Sequence, residues 1–291
     1  MTVDLGRIGV WSGQLRRGDP QQAREAVPEL EALGYGAVWM PGGAADTFFP
    51  LAEDLLSRTH RIVVASGILG VWTNPAPDVA AATAALERQA PGRFLLGLGV
   101  SHAHLVERQT GQRFEHPVAV MSRYLDELAA SAHPVAGDRL VLAALGPRML
   151  ELSRDRSWGA HPYLVTPEHT RLARFVLGPR RLLAPEQAVV LETDPVRARS
   201  IARRHLATYL QAPNYTRNFL RLGFEPGDFA DGGSDRLVDA IVAWGDPVTV
   251  RARVEAHFTA GADHVCLQAL EADPDVLPMA SWRALADLAR G

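Results

Sequence analysis

The chain alternates short, unbroken apolar runs with longer segments whose apolar residues recur every three or four positions. The runs at 5–11, 37–40, 62–65, 94–98, 139–143, 159–165, 187–191 and 264–269 carry little polar alternation, as expected of parallel strands covered on both faces. Helical stripes lie between them. The one at 20–33 places Ala23, Ala26, Val27, Leu30 and Leu33 on one face, opens at Asp19-Pro20 and stops at Gly34. Further helices are predicted at 51–58, 78–89, 117–132, 147–156 and 195–210, with Thr166-Pro167 as a cap and Gly245-Asp246-Pro247 opening the last core helix. Eight strands separated by helices predict an α/β chain folded as a (β/α)8 TIM barrel. The rival is an open doubly wound sheet. It needs about six strands and a Gly-x-Gly-x-x-Gly turn after the first, where this chain has Trp11-Ser12-Gly13-Gln14.

Length supports one domain. The 291 residues fit a typical barrel of roughly 250 with insertions, one of them polar at 212–234, so 1–291 reads as a single unit. Apolar residues make up 47% and charged residues 22%, which provides a core and argues against disorder. A net charge of −3 gives no footprint for nucleic acid or for an anionic membrane. The single cysteine, Cys266, excludes disulfides within the chain and fits a reducing compartment. With no apolar run near the ~18–20 residues of a membrane span and no signal-peptide core, the expectation is a cytoplasmic protein acting on a small molecule.

Candidate chemistry gathers where the apolar runs end, the face that carries function in a barrel. The 94–98 run gives way to Gly99-Val100-Ser101-His102-Ala103-His104. After the third run comes Ser66-Gly67-Ile68-Leu69-Gly70-Val71-Trp72. Its glycines permit unusual backbone beneath a flat ring, and Trp72 is either a wall of the site or a satellite core aromatic. Ala144-Leu145-Gly146-Pro147-Arg148 is either an anion site at a helix start, with a cation nearby, or an ordinary strand-to-helix turn. His161, ahead of Pro162-Tyr163, is either functional or a satisfied structural histidine. His102-x-His104 lacks a following carboxylate pattern, so hydrogen bonding or proton relay is favoured and no metal is expected. There is no Gly-x-Ser-x-Gly elbow, and acids are scarce at the strand ends, Glu186 and Glu192 being the main ones. A site poor in acids and rich in glycine and aromatics suits a bound redox ring better than hydrolysis.

These segments resemble the luciferase-like monooxygenase superfamily, within it the actinobacterial branch of F420-dependent oxidoreductases. The resemblance is carried by Gly34-Tyr35-Gly36-Ala37-Val38-Trp39, Val64-Ala65-Ser66-Gly67-Ile68, Pro91-Gly92-Arg93-Phe94-Leu95-Leu96-Gly97-Leu98-Gly99-Val100-Ser101-His102, Ala143 to Leu152, Gly159 to Thr170 and Gly261-Ala262-Asp263-His264-Val265. It implies a deazaflavin at the strand ends, with a non-proline cis peptide at Gly67-Ile68 behind the ring and Ser66 beside it. It implies a phosphate turn at Ala144, Leu145, Gly146 and Arg148, and a ring-edge pocket including Ser101, His102 and His161. Trp11, Gly43, Trp72 and Tyr163 would line the substrate pocket, and a homodimer would be expected.

One departure is plain. Where sugar and alcohol dehydrogenases of this group carry an acid and a catalytic histidine after the second strand, this chain reads Pro41-Gly42-Gly43. Either His102 or His104 then handles the proton, or solvent does. The first reading is hydride transfer between coenzyme F420 and a small organic substrate, leaning toward reduction of a C=C or C=N bond. One alternative is an FMN-dependent two-component monooxygenase, and another is a non-catalytic barrel that binds a ligand or partner.

Overall fold

The computed structural model describes residues 3–290. Its barrel strands are β1 (Ile8–Trp11), β2 (Ala37–Met40), β3 (Val63–Ser66), β4 (Phe94–Gly99), β5 (Leu140–Leu142), β6 (Gly159–Ala160), β7 in two pieces (Leu182–Leu183 and Glu186–Val190) and β8 (Val265–Ala269), with two-residue strands at Leu69–Gly70 on β4 and Ala243–Trp244 on β7. All pair in parallel with their neighbours. The ring closes through β7. Its first piece pairs with β6 and its second with β8. The join between them remains in the ladder: Ala184 N–H donates to Ala160 O and Cys266 N–H donates to Pro185 O. The expected (β/α)8 barrel is therefore observed.

The helices are α1 (Pro20–Leu33), α2 (Ala45–Ser57), α3 (Ala76–Gln89), α4 (Ala103–Thr110), α5 (Pro117–Ala129), α6 (Pro147–Arg156), α7 (Pro167–Leu177), α8 (Pro195–Tyr209), α9 (Pro213–Arg221), α10 (Asp235–Ile241), α11 (Pro247–Thr259) and α12 (Met279–Ala284). Their signals are local. Asp19, Thr166, Asp194 and Asp246 each accept a backbone N–H in the first turn ahead of a proline-led helix. Gly34 ends α1 in the left-handed region, φ 101°.

Several expectations are corrected. The helix expected at 51–58 starts at Ala45 and runs through Pro50, because Phe48, Phe49, Ala52, Leu55 and Leu56 form one buried stripe. The strand expected at 159–165 is only Gly159–Ala160, since Leu164 takes φ 53° and cannot continue a ladder. The polar insertion at 212–234 is largely helical, and it buries Tyr215, Phe219 and Phe224. His102 and His104, expected at the end of the 94–98 strand, fall at the cap and in the first turn of α4.

Three apolar clusters result. The largest lies between the strands and the helical ring, a second fills the barrel interior, and a third joins β7 to α8, α9 and α10.

Candidate functional site

Inside the barrel, three aromatic side chains form a polar layer. Trp39 stacks on His161 with centroids 4.2 Å apart and donates from Nε1 to His264 Nε2 at 3.2 Å. His264 Nδ1 donates to Gly6 O at 2.8 Å, and His161 Nδ1 donates to Ala184 O at 2.7 Å. Burial holds both imidazoles neutral, with pKa values lowered to about 4. His161 Nε2 is left as a bare acceptor, and Trp11 Nε1 as a donor, both buried and without a partner among the described residues. They meet beneath Gly67. A Cβ there would stand 2.6 Å from Trp11 Nε1 and 3.4 Å from His161 Nε2.

The Gly67-Ile68 peptide is cis. Gly67 N–H donates to Met40 O at 2.7 Å, and Ile68 O accepts from Gly42 N–H at 3.2 Å. The segment presses on β4, which explains the spaced glycines of that strand. A Cβ at Gly97 would collide with the Ser66 carbonyl, and one at Gly99 with the Ile68 side chain. Ser66 faces inward: its hydroxyl donates to Gly97 O and accepts from Gly97 N–H, at 2.9 and 2.7 Å. Gly67 and Ile68 are the half-exposed part of the turn.

A chain of aromatic contacts crosses the same end of the barrel. Trp11 meets Tyr163 at 5.1 Å, Tyr163 meets Tyr209 and Tyr215, and Tyr215 meets His102 at 5.5 Å. Tyr163 Oη donates to Gln268 Oε1 at 2.7 Å and lies 3.1 Å from Tyr209 Oη. His102 Nδ1 is 3.1 Å from Asn214 Oδ1. Ser101 takes φ 60° and is half-buried. The structure thus brings together Trp11, Gly67, Ile68, Ser101, His102, His161 and Tyr163. Gly43, exposed at φ 57°, bridges to Leu69 directly after the cis peptide, and Trp72 packs against Phe114. The His104 side chain lies outside the described part of the structure.

Glu186, beside this cluster, was noted in the sequence only as a scarce acid. It is 1% exposed, the one almost wholly buried carboxyl among the described residues. Leu164 N–H donates to its Oε2 at 3.0 Å, and Oε1 has no partner. Burial raises its pKa to about 8, so it is largely protonated at neutral pH.

The turn at Ala144, Leu145 and Gly146 opens α6, with no side chain capping the free amides. His169 Nε2 donates to Leu145 O at 2.9 Å. Arg148 is exposed in the first turn. A second guanidinium is also present: Arg221 of α9 lies 3.6 Å from the position a Gly146 Cβ would take. Arg221 and its neighbour Asn218 gave no signal in the sequence, because only the fold of the insertion carries them to this turn.

Residues 1–130 match the family model of luciferase-like monooxygenases. A Mycobacterium tuberculosis relative, described as a coenzyme F420-dependent oxidoreductase (Rv3520c), is 31% identical over 121 residues, which span 41% of this chain and 33% of that protein. Whole-chain likeness comes from solved structures. The coenzyme F420-dependent tetrahydromethanopterin reductase of Methanopyrus kandleri aligns with TM-score 0.76 and 15% identity, covering 97% of this chain and 98% of that one. The oxygenating constituent of 3,6-diketocamphane monooxygenase from Pseudomonas putida, solved with FMN, aligns with TM-score 0.68 and 15% identity over 99% and 98%. At such identities the likeness is one of fold, and it runs over nearly the whole chain.

Proposed function

We infer that this luciferase-like barrel is an F420-dependent oxidoreductase acting on a small organic substrate. The observation that carries the reading is the make-up of the barrel mouth. Trp11, Ile68, Ser101, His102 and Tyr163 surround half-exposed backbone, and the nearest buried carboxyl is kept protonated. An uncharged, aromatic set of side chains of this kind suits a planar heterocycle, and it offers no pair of ionised acids for hydrolysis. The likeness to the M. tuberculosis protein supports F420 as the ring.

The residues fit such a group. Gly67 and Ile68 would lie against its face, Ser101, His102 and His161 near its edge, and Ala144, Leu145, Gly146 and Arg148 at its phosphate. The deazaflavin would supply hydride chemistry. The chain would supply orientation, a water-poor aromatic wall and a proton. Pro41-Gly42-Gly43 places no ionisable group after β2, so His102 is the residue we assign to proton transfer, with His104 as its neighbour in α4. With no base to take a proton from an alcohol, reduction of a C=C or C=N bond is favoured over alcohol oxidation.

Fluorescence titration with oxidised F420 tests the cofactor. Saturable binding in the micromolar range is expected, and no binding at tens of micromolar would remove it. The FMN reading has a structural neighbour in its favour. It would be shown by oxygen consumption with reduced FMN that exceeds the free flavin's rate.

A further inference from the structure

We propose that helix α9 of the insertion supplies half of a phosphate clamp, with the Asn218 amide and the Arg221 guanidinium closing on the ligand from opposite the α6 N-terminus. The proposal deepens the cofactor reading and rests on it for the identity of the ligand. The clamp itself rests on four observations.

First, α6 is ten residues long and begins at Gly146 with no side chain meeting its free amides. Second, Arg221 comes from another element and places its guanidinium beside Gly146. A cation there faces the positive end of the helix dipole, an unfavourable arrangement unless an anion sits between them. Third, among the described residues neither Arg148 nor Arg221 pairs with a carboxylate, so both charges are open to an anion.

Fourth, Asn218 is 2% exposed and its Nδ2 has no partner. Its Oδ1 is turned toward Arg221 Nη1 at 3.4 Å, which leaves the amide N–H group as a buried donor beside that guanidinium. An unmade bond of this kind costs about 1–3 kcal/mol. His169 donates to Leu145 O, and Gly146 O accepts from the Met149 and Leu150 N–H groups, so these two carbonyls of the turn are engaged. The α6 amides, the Asn218 amide and the two guanidiniums are donors or cations, and the ligand that answers them is a phosphate ester.

The same helix reaches the mouth. Asn214 lies against His102, Tyr215 packs on Tyr163 and His102, and Arg221 stands at Gly146. Seven residues of helix separate Asn214 from Arg221, a rise of about 10 Å. A single rigid element thus contacts both the ring site and the phosphate turn.

Three proteins test the clamp: wild type, Arg221→Met and Asn218→Asp. Asn218→Asp keeps the size and the Arg221 partner while replacing the donor with a negative charge. Arg221 is exposed, so Arg221→Met is expected to fold whatever Asn218→Asp does. In thermal unfolding at matched ionic strength, inorganic phosphate should stabilise wild type more than chloride does, and both variants should lose that difference. A wild type indifferent to phosphate, or variants that respond equally, would overturn the proposal.

F420 and its tail-less nucleoside then identify the ligand. Arg221→Met should weaken F420 at least tenfold and leave the nucleoside within twofold. If both variants bind F420 as tightly as wild type, the clamp is wrong and the cofactor reading survives. If wild type ignores both deazaflavins while FMN binds and loses tenfold in Arg221→Met, the clamp stands and the cofactor is a flavin.

Discussion

At Gly97 the volume of a single methyl group is already occupied by the Ser66 carbonyl. Gly97→Ala must displace backbone, whereas Gly99→Ala pushes only on the flexible Ile68 side chain. Gly97→Ala should therefore cost about 2–3 kcal/mol and Gly99→Ala less, as read from urea midpoints. Glu186 makes a second residue-scale prediction. Its folded pKa of about 8 lies above the unfolded value near 4.5, so its contribution to stability is fully present below pH 4.5 and is lost as pH rises through 8. Over that window wild type should lose about 1.4 kcal/mol per pH unit relative to Glu186→Gln, measured by denaturant unfolding of both proteins at pH 6 and pH 8. The glycine spacing of β4 was visible in the sequence. Its cause was not, because the segment pressing on β4 is contributed by a different strand end.

Elements were legible wherever their signals were local. Capped, proline-led helices such as α7, α8 and α11 were readable from Thr166, Asp194 and Asp246. Pro50 hid the first half of α2, although the stripe from Phe48 to Leu56 outweighs it. The insertion was read as polar because its apolar residues are few, yet Phe219 is fully buried against Phe224 and Phe229. Phe219→Ala should cost about 3–5 kcal/mol and speed proteolysis within 213–234. Because α9 would lose its seat, phosphate binding should weaken in the same variant.

For the whole molecule, eight strands and their order followed from the alternation of runs and stripes. The site was legible only where it lies at strand ends. Asn214, Tyr215, Asn218 and Arg221 reach it from 50 or more residues away along the chain, and no spacing rule connects them to it. Acid stability is likewise a property of the whole. His161, His205 and His264 are held at about 4 and His257 at about 3, chiefly by burial, against about 6.5 when unfolded. Their contribution is intact above pH 6.5 and is lost as pH falls through about 4. Glu186 opposes them, so unfolding at pH 5 should take up roughly three protons, read from the change of the urea midpoint with pH.

The family match ends at residue 130, just beyond α5, so it holds β1 to β4 and stops half-way round the ring. Cut there, the flank of β1 that meets β8 and the flank of β4 that meets β5 would both be bare edges, which recruit other chains. A fragment of residues 1–130 should accordingly elute from a sizing column as oligomers. The matched segment is thus a piece unable to stand alone, and autonomy depends on the seam at Ala184-Pro185, supplied by the half beyond the match.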